Sequence, residues 1–180
     1  VERKAVELAR GRVLDLGAGA GAHSVPLSKA GLATTAVEVL PTAREILMER
    51  GIPDVRAGGL ESLDAGERFD TVLVLMNGLG LAGSLDGLGR FLAELAGHVE
   101  SGGQVLADST DPRAWGESGD GRYPGEVHMQ LAFDGDEGPP FPFLFVDPDT
   151  LRDVAGSVGL HTEVVAVDQD GRYLARLMAR

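Results

Sequence analysis

Three glycines alternate with alanines at the end of the run Val13-Leu14-Asp15-Leu16-Gly17-Ala18-Gly19-Ala20-Gly21. The apolar start of the run is typical of a buried strand, and glycines directly after a strand predict a tight turn that opens a helix. Small residues in such a turn let the backbone approach a ligand closely and direct N–H groups at its polar end. The sequence therefore predicts a ligand-binding turn at Gly17, Ala18, Gly19 and Gly21.

Charged residues near this turn narrow the class of ligand, because glycine-rich turns serve nicotinamide, flavin and S-adenosylmethionine sites alike. The carboxylate of Asp15 would repel a pyrophosphate and attract the cationic amino and sulfonium groups of S-adenosylmethionine. The spacing also differs from G-x-G-x-x-G, because position 22 is Ala. Glu38, at the end of the second predicted strand, can accept hydrogen bonds from ribose hydroxyls, which both nicotinamide cofactors and S-adenosylmethionine carry.

The elements that position these residues alternate between strands and helices through the first two thirds of the chain, which indicates a parallel sheet. Five parallel strands are predicted, at 12–16, 33–37, near Val55, at 71–76 and at 104–107. Pro41 begins one predicted connecting helix, Gly51 follows its end, and Ser84 caps another.

The last third has a different composition. Residues 111–125, rich in Gly, Pro and charge, predict a loop, and the alternating stretches 126–133 and 141–146 predict an inserted hairpin around a turn at 134–140. Asp170-Gly171 is a strong hairpin signal between two final strands, 162–167 and 172–178.

The predicted fold class is α/β: a Rossmann-like, doubly wound sheet of seven strands, mostly parallel with a terminal antiparallel hairpin. The inserted β-hairpin follows strand five. We expect a single domain over 1–180, with the insertion at about 111–146.

Composition excludes several classes of function. The formal net charge of −12 repels phosphate backbones and anionic lipid, so neither nucleic acid nor membrane is an expected partner. The chain has no cysteine, which excludes disulfides and thiolate ligands, and no metal site is predicted. Without an apolar run of roughly 20 residues or a signal peptide, the chain is expected in the cytoplasm. Its first residue is Val, which leaves open a longer protein with an N-terminal lid, and the oligomeric state is open.

Four features taken in order resemble the signature set of the class I S-adenosylmethionine-dependent methyltransferases: the run 13–21, Glu38, Phe69-Asp70 before strand four, and Gly102-Gly103 before strand five. The resemblance covers nearly the whole chain, and its first motif is the most specific. The segment 76–83 also resembles a bacterial subgroup of these enzymes. The resemblance implies S-adenosylmethionine as the cofactor and methyl transfer to an unidentified, small-molecule acceptor.

The resemblance also implies roles for individual residues. The three glycines would line the methionine and ribose portions, Asp15 would hold the amino end, and Asn77 would face the reacting methyl group. The complete expected contact set is Asp15, Gly17, Ala18, Gly19, Gly21, His23, Glu38, Val39, Leu60, Met76 and Asn77. One departure concerns the adenine: Gly59 stands where family members often have an acidic residue, so the backbone near Leu60, or Glu61, is expected to hold that base.

A general base is required only if the acceptor has a poorly ionised proton. Four candidates follow strand five or lie in the insertion: Asp108, Asp111, Tyr123 and His128. A turn-capping role is equally open for both aspartates, and the apparent strand position of His128 favours a surface or structural role.

Two alternative functions remain at this point. A NAD(P)-binding oxidoreductase shares the strand, the glycine turn and the acidic residue, but Asp15 and the terminal antiparallel pair argue against it. A non-catalytic domain that retains the fold is the other alternative, and the intact glycine turn and Glu38 weigh against it.

Overall fold

The structure is a computed structural model that describes residues 1–115 and 122–179. In chain order the strands are β1 (Arg12–Leu16), β2 (Ala33–Glu38), β3 (Asp54–Ala57), β4 (Phe69–Val74), β5 (Val99–Thr110), β6 (Glu126–Met129), β7 (Ala132–Phe133), β8 (Asp136–Glu137), β9 (Phe141–Leu144), β10 (Leu160–Val167) and β11 (Arg172–Ala179). The α-helices are α1 (Glu2–Leu8), α2 (Ser24–Lys29), α3 (Pro41–Glu49), α4 (Leu85–Gly97) and α5 (Pro148–Ser157).

The central sheet has seven strands in the order β10-β11-β5-β4-β1-β2-β3. Strands β1 to β5 pair in parallel, and β11 pairs antiparallel with both β5 and β10. The predicted α/β class, mostly parallel sheet and terminal hairpin are thereby confirmed. Because the strand order reverses between β1 and β4, a crevice opens at the carboxyl ends of these two strands, where open α/β sheets bind ligands.

Helices cover both faces of the sheet because successive strand residues point to opposite sides. On one face Leu14 of β1 joins a cluster with Leu92 of α4 and Leu151 of α5. On the other face Val13 joins a cluster with Leu27 of α2. This alternation also directs Asp15 toward the α2 side of the sheet, as its hydrogen bond to a residue of that helix shows below.

The residues predicted to begin or end helices lie at helix ends in the structure. Ser84 Oγ accepts a hydrogen bond from the Gly87 N–H at the start of α4, Pro41 is the first residue of α3, and Gly51 has a φ of 81° just after that helix. Asp147 caps α5 by accepting from two backbone N–H groups.

Among the strands of the central sheet, β4 and β5 differ most from the predicted bounds. Strand β4 ends at Val74 instead of position 76, because Met76 and Asn77 have φ values of 67° and 57° that a strand does not permit. Strand β5 begins at Val99, ahead of the two glycines that suggested a start at 104.

The insertion after β5 forms the expected antiparallel ribbon, β6 paired with β9. At its far end β7 and β8 form a second, two-stranded pair that turns at Asp134 and Gly135, so the connection is shorter than the predicted turn at 134–140. The loop predicted at 111–125 contains a 3₁₀ turn, Pro112–Trp115, and its residues 116–121 lie outside the described part of the chain.

Candidate functional site

The glycine turn after β1 is open toward the crevice. Gly17, Gly19 and Gly21 have φ values of 73°, 53° and 90°, which residues with a side chain rarely adopt. A Cβ placed on Gly17 or Gly19 would meet no atom within 4 Å, whereas one on Gly21 would lie 2.9 Å from Leu47 Cδ2. The first two glycines therefore leave space for a ligand, and the third permits close packing of α3.

The same turn is tied to the neighbouring strand by its backbone. The N–H groups of Gly17 and Ala18 donate to the carbonyl of Val37 at 2.9 and 3.1 Å. The turn is consequently a fixed extension of β1 and β2.

Asp15 lies beneath this turn and is buried. Its Oδ2 accepts a hydrogen bond from Ser24 Oγ at 2.5 Å, at the start of α2. Burial raises the pKa of Asp15 above its usual value, and the hydrogen bond from Ser24 opposes that rise. The residue therefore joins the end of β1 to the start of α2.

Glu38 extends across the turn from the end of β2. Its Oε2 accepts from the Gly19 N–H at 2.8 Å, and its Oε1 accepts from the Leu40 N–H at 2.8 Å. Each carboxylate oxygen can accept more than one hydrogen bond, so both oxygens retain capacity for a pair of hydroxyl groups. The backbone bonds hold the carboxylate in place beside the open glycines.

Beyond Glu38 the crevice has apolar walls. Val39 is 64% exposed, an unusual state for a large apolar side chain directly after a buried strand. A cavity of about 250 Å³ is lined by residues that include Leu60, Glu61 and Leu81. Glu61 Oε1 accepts from the Gly59 N–H at 2.7 Å, and this backbone hydrogen bond lowers the pKa of Glu61. This cavity is where a flat heterocyclic base would find apolar contact and backbone polar groups.

The turn after β4 forms the opposite wall. Met76 and Asn77 both adopt left-handed backbone conformations, which cost free energy for residues with side chains and persist only where neighbours hold them. The Gly78 N–H donates to Asp108 Oδ1 at 3.2 Å, and Thr110 Oγ1 donates to Asn77 Oδ1 at 2.9 Å. Strand β5 therefore holds this turn through two side chains.

A second cavity, of about 200 Å³, connects the glycine turn to the turn after β4. Its lining includes Gly17, Met76, Asn77, Leu81 and Phe143, the last from the inserted ribbon. Among the described residues that line it, Asn77 contributes the polar side chain and the others are apolar or glycine. Such a wall offers apolar contact to a bound group.

The candidate base Asp108 is fully buried and belongs to an ion pair. Arg172 Nε donates to its Oδ2 at 2.6 Å, and Arg172 Nη2 donates to Glu2 of α1 at 2.6 Å. Burial raises the pKa of Asp108, although the Arg172 charge opposes the rise. His23 lies next to these ion pairs, because its buried Nε2 is 3.8 Å from Glu2 Oε2.

The other base candidates are engaged in hydrogen bonds or exposed. Asp111 forms an ion pair with Arg113, whose hydrogen bond lowers the pKa of Asp111. Tyr123 donates to Asp147 Oδ2 at 2.6 Å, and burial with this hydrogen bond raises the pKa of Tyr123 to about 12. His128 is exposed on β6.

Gly17, Met76 and Asn77 line one cavity of the crevice and Leu60 lines the other, whereas Asp15 and His23 are buried. The base candidates Asp111 and Tyr123 are linked through Arg113 and Asp147. Sequence reasoning missed Phe143 and Arg172. The alternating run 141–146 was recognised as a strand, but nothing in it indicated which ring would reach the crevice. Arg172 follows a hairpin turn and carries no motif at all.

An open glycine turn, a fixed carboxylate at Glu38 and a buried carboxyl group at Asp15 together fit a ligand that has a ribose and a cationic head. The fixed carboxylate of Glu38 beside the open Gly19 is the strongest sign, because it adds two hydrogen-bond acceptors next to that space.

Comparison with known proteins gives the same answer. No protein-family model matches the chain. The crystal structure of a SAM-dependent methyltransferase from Bacteroides fragilis, in complex with S-adenosyl-L-homocysteine, matches with a TM-score of 0.89 and 33% identity, covering 99% of this chain and 76% of that one. The CcbJ methyltransferase from Streptomyces caelestis shares the fold, with a TM-score of 0.76, 18% identity, and coverage of 99% and 95%.

A curated relative is the cypemycin N-terminal methyltransferase of a Streptomyces species, 33% identical over 119 residues. The match covers 62% of this chain and 49% of the relative, so it spans about half the length of that protein. None of the helices in the described ranges is both long and apolar enough to cross a membrane. On the fold, the crevice and these similarities, the chain belongs to the class I S-adenosylmethionine-dependent methyltransferases.

Proposed function

We propose that the protein transfers the methyl group of S-adenosylmethionine to a small acceptor, and that the acceptor atom is an amine nitrogen. The observation that carries the first part is the open glycine turn with the Glu38 carboxylate fixed beside Gly19 at 2.8 Å. The second part is supported by the relative that is called an N-terminal methyltransferase and by the character of the second cavity.

The cofactor residues have distinct tasks in this proposal. Glu38 binds the ribose hydroxyls, the backbone of Gly17 and Gly19 approaches the methionine portion, and Asp15 adds a carboxyl group near the amino end. Val39 and the backbone at Leu60 contact the adenine. Ala18, Gly21 and His23 shape the turn from behind.

S-adenosylmethionine supplies a methyl group on a positively charged sulfur, so the leaving group departs neutral and needs no acid. The protein then contributes mainly alignment, which in favourable intramolecular reactions replaces roughly 7 to 11 kcal/mol of barrier. Asn77 and Met76, held in their left-handed turn by β5, form the wall that would fix the direction of approach.

An uncharged amine suits this wall better than a hydroxyl group does. A neutral amine has a free lone pair, whereas a hydroxyl needs a base, and Asp108, Asp111 and Tyr123 are each engaged in other bonds. The net charge of −12 disfavours a nucleic-acid acceptor.

The test uses S-adenosylmethionine with a labelled methyl group and pairs of acceptor probes. Each pair consists of a short peptide with a free N-terminal amine and the same peptide with that amine acetylated, and small aliphatic amines are included. Labelled product from the free amines, absent with the acetylated peptides and lost in Glu38→Ala, is the expected result. Labelling of acetylated peptides at hydroxyl groups would contradict the amine assignment, and the absence of any transfer would contradict the activity.

A further inference from the structure

The carboxylate of Glu38 is held by a peptide group that is itself held by helix α3. The peptide group between Val39 and Leu40 donates its N–H to Glu38 Oε1 at 2.8 Å. The carbonyl of the same peptide group accepts from Arg44 Nη1 at 2.6 Å. Because a trans peptide group is planar, with its N–H and C=O at opposite ends, a bond that fixes the carbonyl also fixes the direction of the N–H. Arg44 therefore sets the direction of the hydrogen bond that holds Oε1.

The other oxygen of Glu38 lies at the end of a longer path of the same kind. Arg50 Nη1 donates to the Ala20 carbonyl at 2.7 Å. The N–H of that peptide group donates to the Ala18 carbonyl at 2.9 Å. The N–H of the next peptide group, on Gly19, donates to Glu38 Oε2 at 2.8 Å. Two peptide groups therefore connect Arg50 to this oxygen.

Both paths begin on the part of α3 that packs against the glycine turn. Arg44 and Arg50 lie three residues before and three residues after Leu47, so they flank this buried side chain on the helix surface. A Cβ on Gly21 would lie 2.9 Å from Leu47 Cδ2, which shows how closely the helix and the turn approach. Each path has a guanidinium at one end and a carboxylate at the other, so its hydrogen bonds polarise in one direction and strengthen one another.

We propose that Arg44 and Arg50 are positioning residues for the ribose of the cofactor. They hold the Glu38 carboxylate in the orientation that accepts hydrogen bonds from the ribose hydroxyls, Arg44 through one peptide group and Arg50 through two. The inference rests on the proposed function, since it takes S-adenosylmethionine as the ligand of the glycine turn. The shorter path has fewer flexible bonds, so Arg44 contributes more than Arg50.

The test compares two ligands that differ in the ribose hydroxyls alone, S-adenosylhomocysteine and its 2′,3′-dideoxy form. Both are titrated calorimetrically, the weaker ligand by competition, into the wild-type protein, Arg44→Ala, Arg50→Ala and the control Glu45→Ala, an exposed position on the same helix. Arg44→Ala should weaken binding of S-adenosylhomocysteine by about 2- to 12-fold, the range of one hydrogen bond, and change binding of the dideoxy form by less than about twofold. Arg50→Ala should show the same preference with a smaller loss, and Glu45→Ala should change neither affinity.

A second measurement shows whether Arg44 acts through Glu38. In a protein that already carries Glu38→Ala, adding Arg44→Ala should change the affinity for S-adenosylhomocysteine by less than about twofold, because the carboxylate that Arg44 positions is absent. Arg44→Lys keeps a cationic donor and should recover part of the affinity that Arg44→Ala loses. A full loss in the Glu38→Ala background would show that Arg44 acts independently of Glu38 and would overturn the inference.

Equal weakening of both ligands by Arg44→Ala would show that Arg44 only stabilises the loop, and an unchanged affinity for S-adenosylhomocysteine would also overturn the inference while leaving the proposed function intact. The same two results for Arg50→Ala would overturn the assignment of Arg50. Failure of the wild-type protein to bind S-adenosylhomocysteine would overturn the proposed function and this inference with it. Thermal unfolding verifies that each variant is folded, and Arg44→Met, which keeps the length of the side chain without its donors, replaces Arg44→Ala if that variant does not fold.

Discussion

The turn after β1 and the turn after β4 lie at the same edge of the sheet, yet they are held in different ways. After β1, glycines adopt the left-handed conformation without steric cost, and the side chain that braces them, Glu38, follows 19 residues after Gly19. After β4, Met76 and Asn77 adopt the same kind of conformation with side chains attached. Asp108 and Thr110 hold them from 30 and 33 residues further along the chain.

The two turns therefore determine different specificities, one for the cofactor and one for the acceptor. The cofactor side is determined by residue types within one short segment, and a sequence motif therefore describes it. The acceptor side depends on side chains that meet only after β5, β11 and the insertion have folded. We expect substitutions in the first region to act on binding, and substitutions in the second to act on stability and on the shape of the acceptor wall.

The largest expected effect is on the acceptor side. Arg172→Ala leaves the buried carboxylate of Asp108 without its partner, which should lower the free energy of unfolding by about 3 to 5 kcal/mol in urea denaturation. Arg176→Ala is the matched control on the same strand, because its ion pair with Glu163 is more exposed and should cost about 0 to 1 kcal/mol. Equal losses would contradict the central role of the Asp108 pair.

The cofactor side should respond most strongly at Glu38. Glu38→Ala removes the acceptor of the ribose hydroxyls, so the affinity for S-adenosylhomocysteine should fall by about 10- to 150-fold in calorimetric titration. Glu38→Gln, which keeps one acceptor oxygen, should lose less, and Glu45→Ala on the exposed surface of α3 should lose nothing. Unchanged affinity in a folded Glu38→Ala protein would remove the assigned ribose site.

The stability that Asp147 contributes as the N-cap of α5 should depend on pH. Burial alone would raise the pKa of Asp147. Hydrogen bonds from Thr150, Tyr123 and backbone N–H groups outweigh burial and lower this pKa to about 2. A carboxylate with a lowered pKa stabilises the fold above its unfolded value, about 3.9, and this contribution disappears as the pH falls through the folded value.

Asp147→Ala should therefore cost about 0.5 to 2 kcal/mol of unfolding free energy at pH 6, and the cost should shrink between pH 4 and pH 2. Urea denaturation of both proteins at pH 6, 4 and 3 measures this change. Asp147→Asn keeps a capping oxygen and isolates the contribution of charge. A cost that is the same at every pH would argue against the ionised cap.

The hydrogen bond from Thr110 to Asn77 should have the weakest effect of the four. Thr110→Val removes the hydroxyl that donates to Asn77, and should lower the free energy of unfolding by about 0.5 to 1.5 kcal/mol. Affinity for S-adenosylhomocysteine should stay within about twofold, because no cofactor contact is lost. A large loss of affinity would show that the two turns are coupled more tightly than their separate supports suggest.

Much of the fold follows from local patterns. The presence of the sheet's strands, the cap at Ser84 and the Asp170-Gly171 turn are signals contained in a few adjacent residues, and the structure confirms them. The end of β4 was not predicted, because a left-handed Met76 has no local signature and the turn that contains it is held by Asp108 through the Gly78 N–H.

The candidate site divides in the same way. Residue types and their order within short segments identify the glycine turn and Glu38. Phe143 reaches the crevice only because β6 pairs with β9 and because Gly80 has no side chain. The ion pair of Arg172 with Asp108 spans 64 positions, and no spacing rule connects them. Contacts of this kind require the folded chain.

The cofactor site is tested most directly by calorimetric titration of the wild-type protein with S-adenosylhomocysteine, with NADH and NADPH in parallel. Saturable binding of S-adenosylhomocysteine at one site per chain, without binding of either nicotinamide cofactor, is the predicted result. Binding of NADH or NADPH in place of S-adenosylhomocysteine, or of none of the three, would contradict it.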